Sequence, residues 1–251
     1  MNLNKTIALV TGGTSGIGKE IVKQLLIQGS NVVINYGTND KQANETLTDF
    51  KEYSSQILLV KANVTNEEEI IEMFNKIKVK YGKLDVLVNN AGTNVDGYIE
   101  NYNVSDWDKV LNVNLKGKFI CTKHAIPHLK KSNNASIINI SSRLGTKPCA
   151  EASAYCASEA AIINFTKCSA IELAPYNIRV NCVSPSLTIT KMALSGWSKE
   201  EIEQTKEKNP MKRLGEPLDI ANIVLYLISD KASYITGENI NVNGGALLWK
   251  K

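Results

Sequence analysis

One stretch, Ile7–Tyr36, restricts what this chain can fold into more than any other. An apolar run, Ile7-Ala8-Leu9-Val10, leads into Thr11-Gly12-Gly13-Thr14-Ser15-Gly16-Ile17-Gly18. A helical pattern follows (Ile21, Val22, Leu25, Leu26), then Gly29, then a second apolar run, Asn31-Val32-Val33-Ile34-Asn35. Short β-branched runs of this kind are strands buried on both faces. The order is therefore strand, glycine loop, helix, strand. The glycines fall where the chain must turn sharply and let a phosphate reach the backbone. The helix they open points unpaired N–H groups and a positive dipole end at that phosphate. The spacing T-G-x-x-x-G-x-G is a variant of the dinucleotide fingerprint. Its place between two buried strands favours a dinucleotide site over a plain glycine turn.

At 251 residues the chain is long enough for one α/β domain with a substantial core, read here as spanning residues 1–251. The net charge of +4 is carried mostly by Lys; Arg143, Arg179 and Arg213 are the only guanidiniums, and no basic run exceeds two residues. That argues against a nucleic-acid groove. Five cysteines, odd in number and without a C-x-x-C pair, read as small core residues of a reducing, cytoplasmic compartment. The chain runs straight into its first strand, which leaves no room for a signal peptide. No apolar stretch approaches the ~18 residues a membrane span needs. His124 and His128 have metal-ligand spacing on a helix, but no third ligand is evident, so no metal is expected. Lys250-Lys251 reads as a solvated end.

Strand and helix signals alternate to the end. A polar helix is expected over about 39–53, a strand at Gln56–Lys61 and a helix over Asn66–Lys80, capped by Asn66 and matched to its dipole by Glu67, Glu68 and Glu69. Leu84–Val88 is a strand running into Asn89-Asn90-Ala91-Gly92. A helical region covers about 105–131 with a break near Asn112. Then come a strand at Ser136–Ser141, a long helix at Ser153–Ala174, a strand at Asn177–Val183, a polar flap at about 186–210 with helical character after Ser198, a helix at Pro217–Ile228 and a last strand at Glu238–Val242. The alternation predicts a single-domain, Rossmann-type, doubly wound parallel sheet of about seven strands with helices on both faces. Ligands of such sheets bind beyond the strand C-terminal ends, where each motif falls.

Taken together, the motifs resemble the short-chain dehydrogenase/reductase family, in particular its 3-oxoacyl-(acyl-carrier-protein) reductase and glucose-dehydrogenase-like branch. The likeness rests on Thr11-Gly12…Gly16…Gly18, Asn89-Asn90-Ala91-Gly92, Asn112-Val113-Asn114, Ser142 followed by Tyr155, Pro185…Thr190 and Gly244-Gly245. It implies a nicotinamide cofactor, hydride transfer between a ketone and a secondary alcohol, and a homotetramer acting on a small carbonyl substrate. It further implies that Gly12, Thr14, Ser15, Gly16, Ile17, Gly18, Asn35, Asn63, Val64, Asn90, Ala91, Gly92, Pro185, Thr188 and Thr190 hold the cofactor, together with Tyr155. Asn114 would hold a water in a proton relay, Ser142 would bond the substrate oxygen and Tyr155 would exchange the proton. Ser141 rivals Ser142, which is preferred for its spacing to Tyr155. A hydroxyl donor and an acid suit this reaction because hydride arrival builds negative charge on the carbonyl oxygen.

Several positions depart from that pattern. The resemblance implies Y-x-x-x-K, yet Tyr155 leads to Glu159, one helical turn along the same face. At ~5 Å and an effective dielectric of ~20, a unit charge is worth roughly 3 kcal/mol, about two pKa units of a tyrosine. Glu159 therefore opposes the phenolate, and the expectation is a slowed enzyme biased toward reduction. The alternative is an inactive nucleotide-binding subunit or regulator. At the end of the second strand no acid appears until Asp40, so nothing repels a 2′-phosphate; NADP(H) is expected, with NAD(H) the alternative. Asn63 replaces an Asp that would bond the adenine, its carbonyl still able to accept. Ile171 stands where an Arg facing the acyl carrier is implied, and Arg143 follows Ser142 as a clamp for a substrate carboxylate or as a surface residue. Trp197 and Met192 either line the substrate mouth or pin the flap.

Overall fold

Each apolar run becomes a strand, and each strand from β1 to β6 is followed by a helix that carries the chain back across the sheet. The structure, a computed structural model, describes residues 3–248; Met1, Asn2 and the 249–251 end, including Lys250 and Lys251, lie outside the described residues. The strands are β1 (Ile7–Val10), β2 (Asn31–Tyr36), β3 (Ile57–Lys61), β4 (Val86–Asn89), β5 (Ala135–Ile140), β6 (Ile178–Pro185) and β7 (Asn239–Val242). They form one sheet in the order β3-β2-β1-β4-β5-β6-β7, with every pairing parallel. The helices are α1 (Gly16–Ile27), α2 (Asp40–Asp49), α3 (Glu67–Tyr81), α4 (Val104–Leu111), α5 (Gly117–Leu129), α6 (Ser153–Leu173), α7 (Lys199–Lys208) and α8 (Pro217–Ile228).

Strand side chains alternate between two cores, as the pleat requires. Ala8 and Val10 of β1 face a cluster with Ile21, Val22, Leu25 and Leu26 of α1 and Ile220, Val224 and Leu227 of α8. Ile7 and Leu9 face the other, with Ile70, Met73 and Ile77 of α3 and Ile120, Cys121 and Leu129 of α5. Because both faces are covered, the strands read as continuous apolar runs. The chain winds outward from β1 to β3 and returns at β4, so the reversal of strand order lies between β1 and β4. A crevice opens at their C-terminal ends.

Three elements differ from the expectation in instructive ways. α2 stops at Asp49 because Phe50 turns into the core and leaves helical geometry; a 3-10 turn, Lys51–Gln56, covers the rest. β4 starts at Val86 rather than Leu84, and the Asp85 just before it ties the strand to β1: its carboxylate accepts the Ile7 N–H at 2.9 Å and the Lys83 ammonium at 2.8 Å. The expected break near Asn112 is instead a π-helical turn, Asn112–Lys116, that joins α4 to α5 with one residue of slack.

Beneath the crevice a buried polar ladder ties four elements together. Asn89 Nδ2 donates to Thr122 Oγ1 at 3.0 Å and to Asn139 Oδ1 at 2.9 Å, and Asn139 Nδ2 donates to Thr166 Oγ1 at 2.9 Å. α5, β4, β5 and α6 are thereby held in register. Replacing Asn139 with Ala strips the ladder of its centre and takes one partner each from a buried donor, Asn89 Nδ2, and a buried acceptor, Thr166 Oγ1. A loss of roughly 2–4 kcal/mol is expected, read from the urea unfolding midpoint.

Candidate active site

The crevice floor is set by a clasp between the ends of β1 and β4. Thr11 Oγ1 accepts the backbone N–H groups of Asn90 and Ala91 at 2.9 and 3.0 Å, and Asn90 Nδ2 donates to the carbonyls of Thr11 and Gly12 at 2.9 and 3.2 Å. Gly12 (φ 62°) and Gly16 (φ 50°) lie in the left-handed region that favours glycine. A Cβ on Gly18 would sit 2.4 Å from both the Gly12 carbonyl oxygen and Asn90 Nδ2. The loop must therefore stay bare backbone, and it delivers the N-terminus of α1 uncapped by the Ser15 side chain. Such a rim fits an anionic pyrophosphate. Thr190 closes the far side: its Cγ2 would be 3.1 Å from a Cβ on Gly16.

The second half of the site is built on α6. Ser142 follows β5 in extended geometry, accepts the Leu144 N–H at 3.1 Å and bonds the Tyr155 phenol. Ser141 instead faces inward, its Oγ donating to the Glu159 carbonyl at 3.0 Å. Of the two serines, Ser142 is the one at the phenol. The π-helical turn aims Asn114 at α6: its Oδ1 accepts the Thr93 N–H at 2.8 Å, and its Nδ2 reaches the Thr93 carbonyl, Ser158 Oγ and Glu159 Oε1 at 3.0, 3.1 and 3.3 Å. Ser158 Oγ in turn donates to the Tyr155 carbonyl at 2.8 Å.

Charge is what sets this centre apart. Glu159 is only 4% exposed. Burial pushes its carboxyl up to about 7, against the pull of the Lys118 ammonium and of hydrogen bonds from Ser141, Ser158 and Asn114. Burial first and the Glu159 charge second raise the Tyr155 phenol, with the Ser142 hydrogen bond opposing them. Lys118, also 4% exposed, donates from Nζ to the Ala91 carbonyl at 3.0 Å. Burial lowers its ammonium's pKa and the Glu159 charge restores part of it. Sequence reasoning missed Lys118. The available signal was its position four residues after Asn114, on the same side of a helix.

The other expected cofactor residues divide. Ala91 and Gly92 lie beside Lys118 and Asn114, and Ile17 packs on the α1 core. Thr14 is buried, its carbonyl taken by Thr46 Oγ1 at 3.2 Å. Pro185 pairs with Val242, and Thr188 is buried with its hydroxyl on the Ser186 carbonyl at 2.9 Å. Val64 packs against Gly117. Two of the expected residues have side chains already hydrogen-bonded within the protein. Asn35 is buried and does not offer its side chain to the crevice; its Nδ2 ties β2 to β3 through the Ala62 carbonyl at 2.9 Å. The Asn63 carbonyl is taken up locally by the Thr65 N–H and hydroxyl, both at 3.0 Å. His124 bonds Glu67 at 2.8 Å and His128 stacks on Phe74.

Comparisons with known proteins agree with this geometry. Residues 12–246 match the family model described as enoyl-(acyl carrier protein) reductase. The chain is 39% identical over 243 residues to the 3-oxoacyl-[acyl-carrier-protein] reductase FabG of Staphylococcus epidermidis, covering 97% of this chain and 99% of the relative. It is 37% identical over 249 residues to that of Thermotoga maritima, covering 99% and 100%. Among solved structures, a Serratia marcescens short-chain dehydrogenase/reductase superposes with a TM-score of 0.91 at 30% identity (98% and 99% covered). Thermoplasma acidophilum aldohexose dehydrogenase does so at 0.87 and 32% (98% and 95% covered). The chain belongs to the short-chain dehydrogenase/reductase family. It is an oxidoreductase enzyme of that family, similar along its length to relatives named as 3-oxoacyl reductases.

A buried acid has a signature in stability. The Glu159 carboxyl is raised in the folded state from 4.5 to about 7, so between those values the folded chain binds more protons than the unfolded one. Stability then falls as pH rises through that window, by an amount on the order of 3 kcal/mol. Urea unfolding from pH 5 to 8 should show this slope, and Glu159→Gln should flatten it.

Proposed function

We propose that this enzyme is an NADP(H)-linked ketoreductase that converts a 3-oxoacyl-like or other small carbonyl substrate to the secondary alcohol. The observation that carries the reading is the hydrogen-bonded pairing of Ser142 and Tyr155 in a chain that also carries a tightly packed glycine loop at Gly12, Gly16 and Gly18. A reduced nicotinamide would supply hydride to the carbonyl carbon. The Ser142 hydroxyl donates to the oxygen as negative charge builds there, and the Tyr155 phenol gives up its proton to complete the alcohol. A raised phenol pKa keeps Tyr155 protonated, which suits reduction and opposes alcohol oxidation. Glu159 thus slows the enzyme in one direction more than the other.

Cofactor choice rests on the end of β2. The Asp40 carboxylate, the nearest acid, is engaged by Lys61 at 2.8 Å and by the Tyr36 hydroxyl at 2.9 Å. Its charge is thereby offset, which supports a 2′-phosphate over a bare ribose hydroxyl. The substrate mouth is read as the hollow of about 500 Å³ lined by Tyr98, Ile99, Cys149 and Ser153, at the start of the helix that carries Tyr155. A homotetramer is supported by apolar side chains left exposed on α5 and α6, Phe119 and Ile171 among them. A cytoplasmic setting is in keeping with five free cysteines; among the described residues no helix is long and apolar enough to cross a membrane.

The test is NADPH consumption with an acetoacetyl thioester, alongside NADPH binding by fluorescence. Tyr155→Phe should lower kcat by roughly 10²–10⁴-fold while NADPH still binds. An unchanged rate in this variant, or no binding of either coenzyme by the wild type, overturns the reading. Binding without turnover in the wild type would favour a nucleotide-binding subunit instead.

A further inference from the structure

Two side chains in this site are ionisable, buried and opposite in sign, and they arrive from different helices. Lys118 comes from α5 and Glu159 from α6, each 4% exposed. A buried charge without a counter-charge is strongly unfavourable, so each makes the other's ionised form tolerable. Both are tied to one short piece of backbone after β4. Lys118 Nζ holds the Ala91 carbonyl at 3.0 Å, while Asn114 holds both polar groups of Thr93 and reaches Glu159 Oε1 at 3.3 Å.

The other titratable groups here do not compete for this role. Cys121 on α5 and Cys182 on β6 are pushed up to about 12 by burial and stay neutral thiols. Tyr155, with Cys156 beside it on α6, is held as a neutral phenol. Lys118, at the Ala91 carbonyl, and Glu159, at Asn114, are the buried charged groups of this centre.

We propose that Lys118 is a positioning residue of this site: its ammonium, delivered from α5, is the buried counter-charge for the Glu159 carboxylate and holds the Ala91–Thr93 backbone from which Asn114 is set against α6. This rests on the ketoreductase reading and deepens it. The resemblance implies a cation on α6, whereas this chain carries an acid there and a cation on the neighbouring helix. Placing Lys at 159 alone would set a second ammonium beside the first, so it is no simple restoration.

The experiment compares the full-length wild type with K118M, E159Q and K118M/E159Q, and E159K with E159K/K118M. Urea unfolding across pH 5–9 needs no cofactor; NADPH binding and thioester-dependent NADPH consumption follow on the same samples. K118M should move the pH window of falling stability upward by about one unit or more. It should lower kcat/KM by roughly tenfold or more, an effect that largely disappears in the E159Q background. E159K/K118M should outpace E159K by roughly tenfold. A stability window unmoved by K118M, or K118M and E159Q effects on kcat/KM that simply multiply, overturns the proposal. Should K118M not fold at neutral pH, K118M/E159Q carries the comparison: it should fold with stability flat over pH 5–8, and a remaining slope counts against the pair. Should the wild type consume no NADPH, the ketoreductase reading fails, and the stability arm still decides whether the two charges are coupled.

Discussion

The site exists because two parallel strands that are distant in sequence end side by side and are locked there. Thr11 and Gly12 on one side and Asn90 and Ala91 on the other share four hydrogen bonds across the β1–β4 reversal. Those bonds satisfy backbone groups that would otherwise be stranded at the strand ends. They also fix the height of the glycine rim against the loop that carries Ala91 and Thr93. Both α1, which offers its N-terminus, and Asn114, which hangs from Thr93, take their positions from this clasp. Its cost in sequence is strict: Gly18 must lack a side chain because Asn90 and the Gly12 carbonyl already fill that space.

How much of this could be read beforehand follows from the range of the signals involved. Strands buried on both faces and helices with one apolar stripe leave a local imprint, so the doubly wound sheet and helices such as Pro217–Ile228 were legible residue by residue. The glycine loop was legible because φ > 0 and close approach leave few alternatives. Side-chain destinations were less so. Asn35 and Asn63 sit at the right strand ends, yet β3 claims the first and Thr65 the second. Phe50 ended α2 by a tertiary contact that no local propensity announces. Lys118 was hidden because a helical lysine reads as solvated; only the fold, which seats its ammonium on the Ala91 carbonyl after β4, makes it an interior residue.

The electrostatics follow from that same hidden residue. From sequence, Glu159 reverses the field at Tyr155 and nothing offsets it. In the fold, a buried ammonium partly does, and a carboxyl raised to about 7 spends part of its time neutral near physiological pH. The phenol is nonetheless held in its protonated form, chiefly by burial. The protonation of the Tyr155 phenol is thus governed by solvation first and by the charge at position 159 second.

The π-helical turn at Asn112–Lys116 has a consequence of its own. Each residue of an α-helix advances about 100° around the axis, so the extra residue acts as a phase setting for everything after it. It is what allows Asn114 and Lys118 to look inward while Phe119 looks out. The length of that segment, and not only its composition, is therefore under constraint: a chain shortened there by one position would keep its helix yet present a different row of side chains to Tyr155.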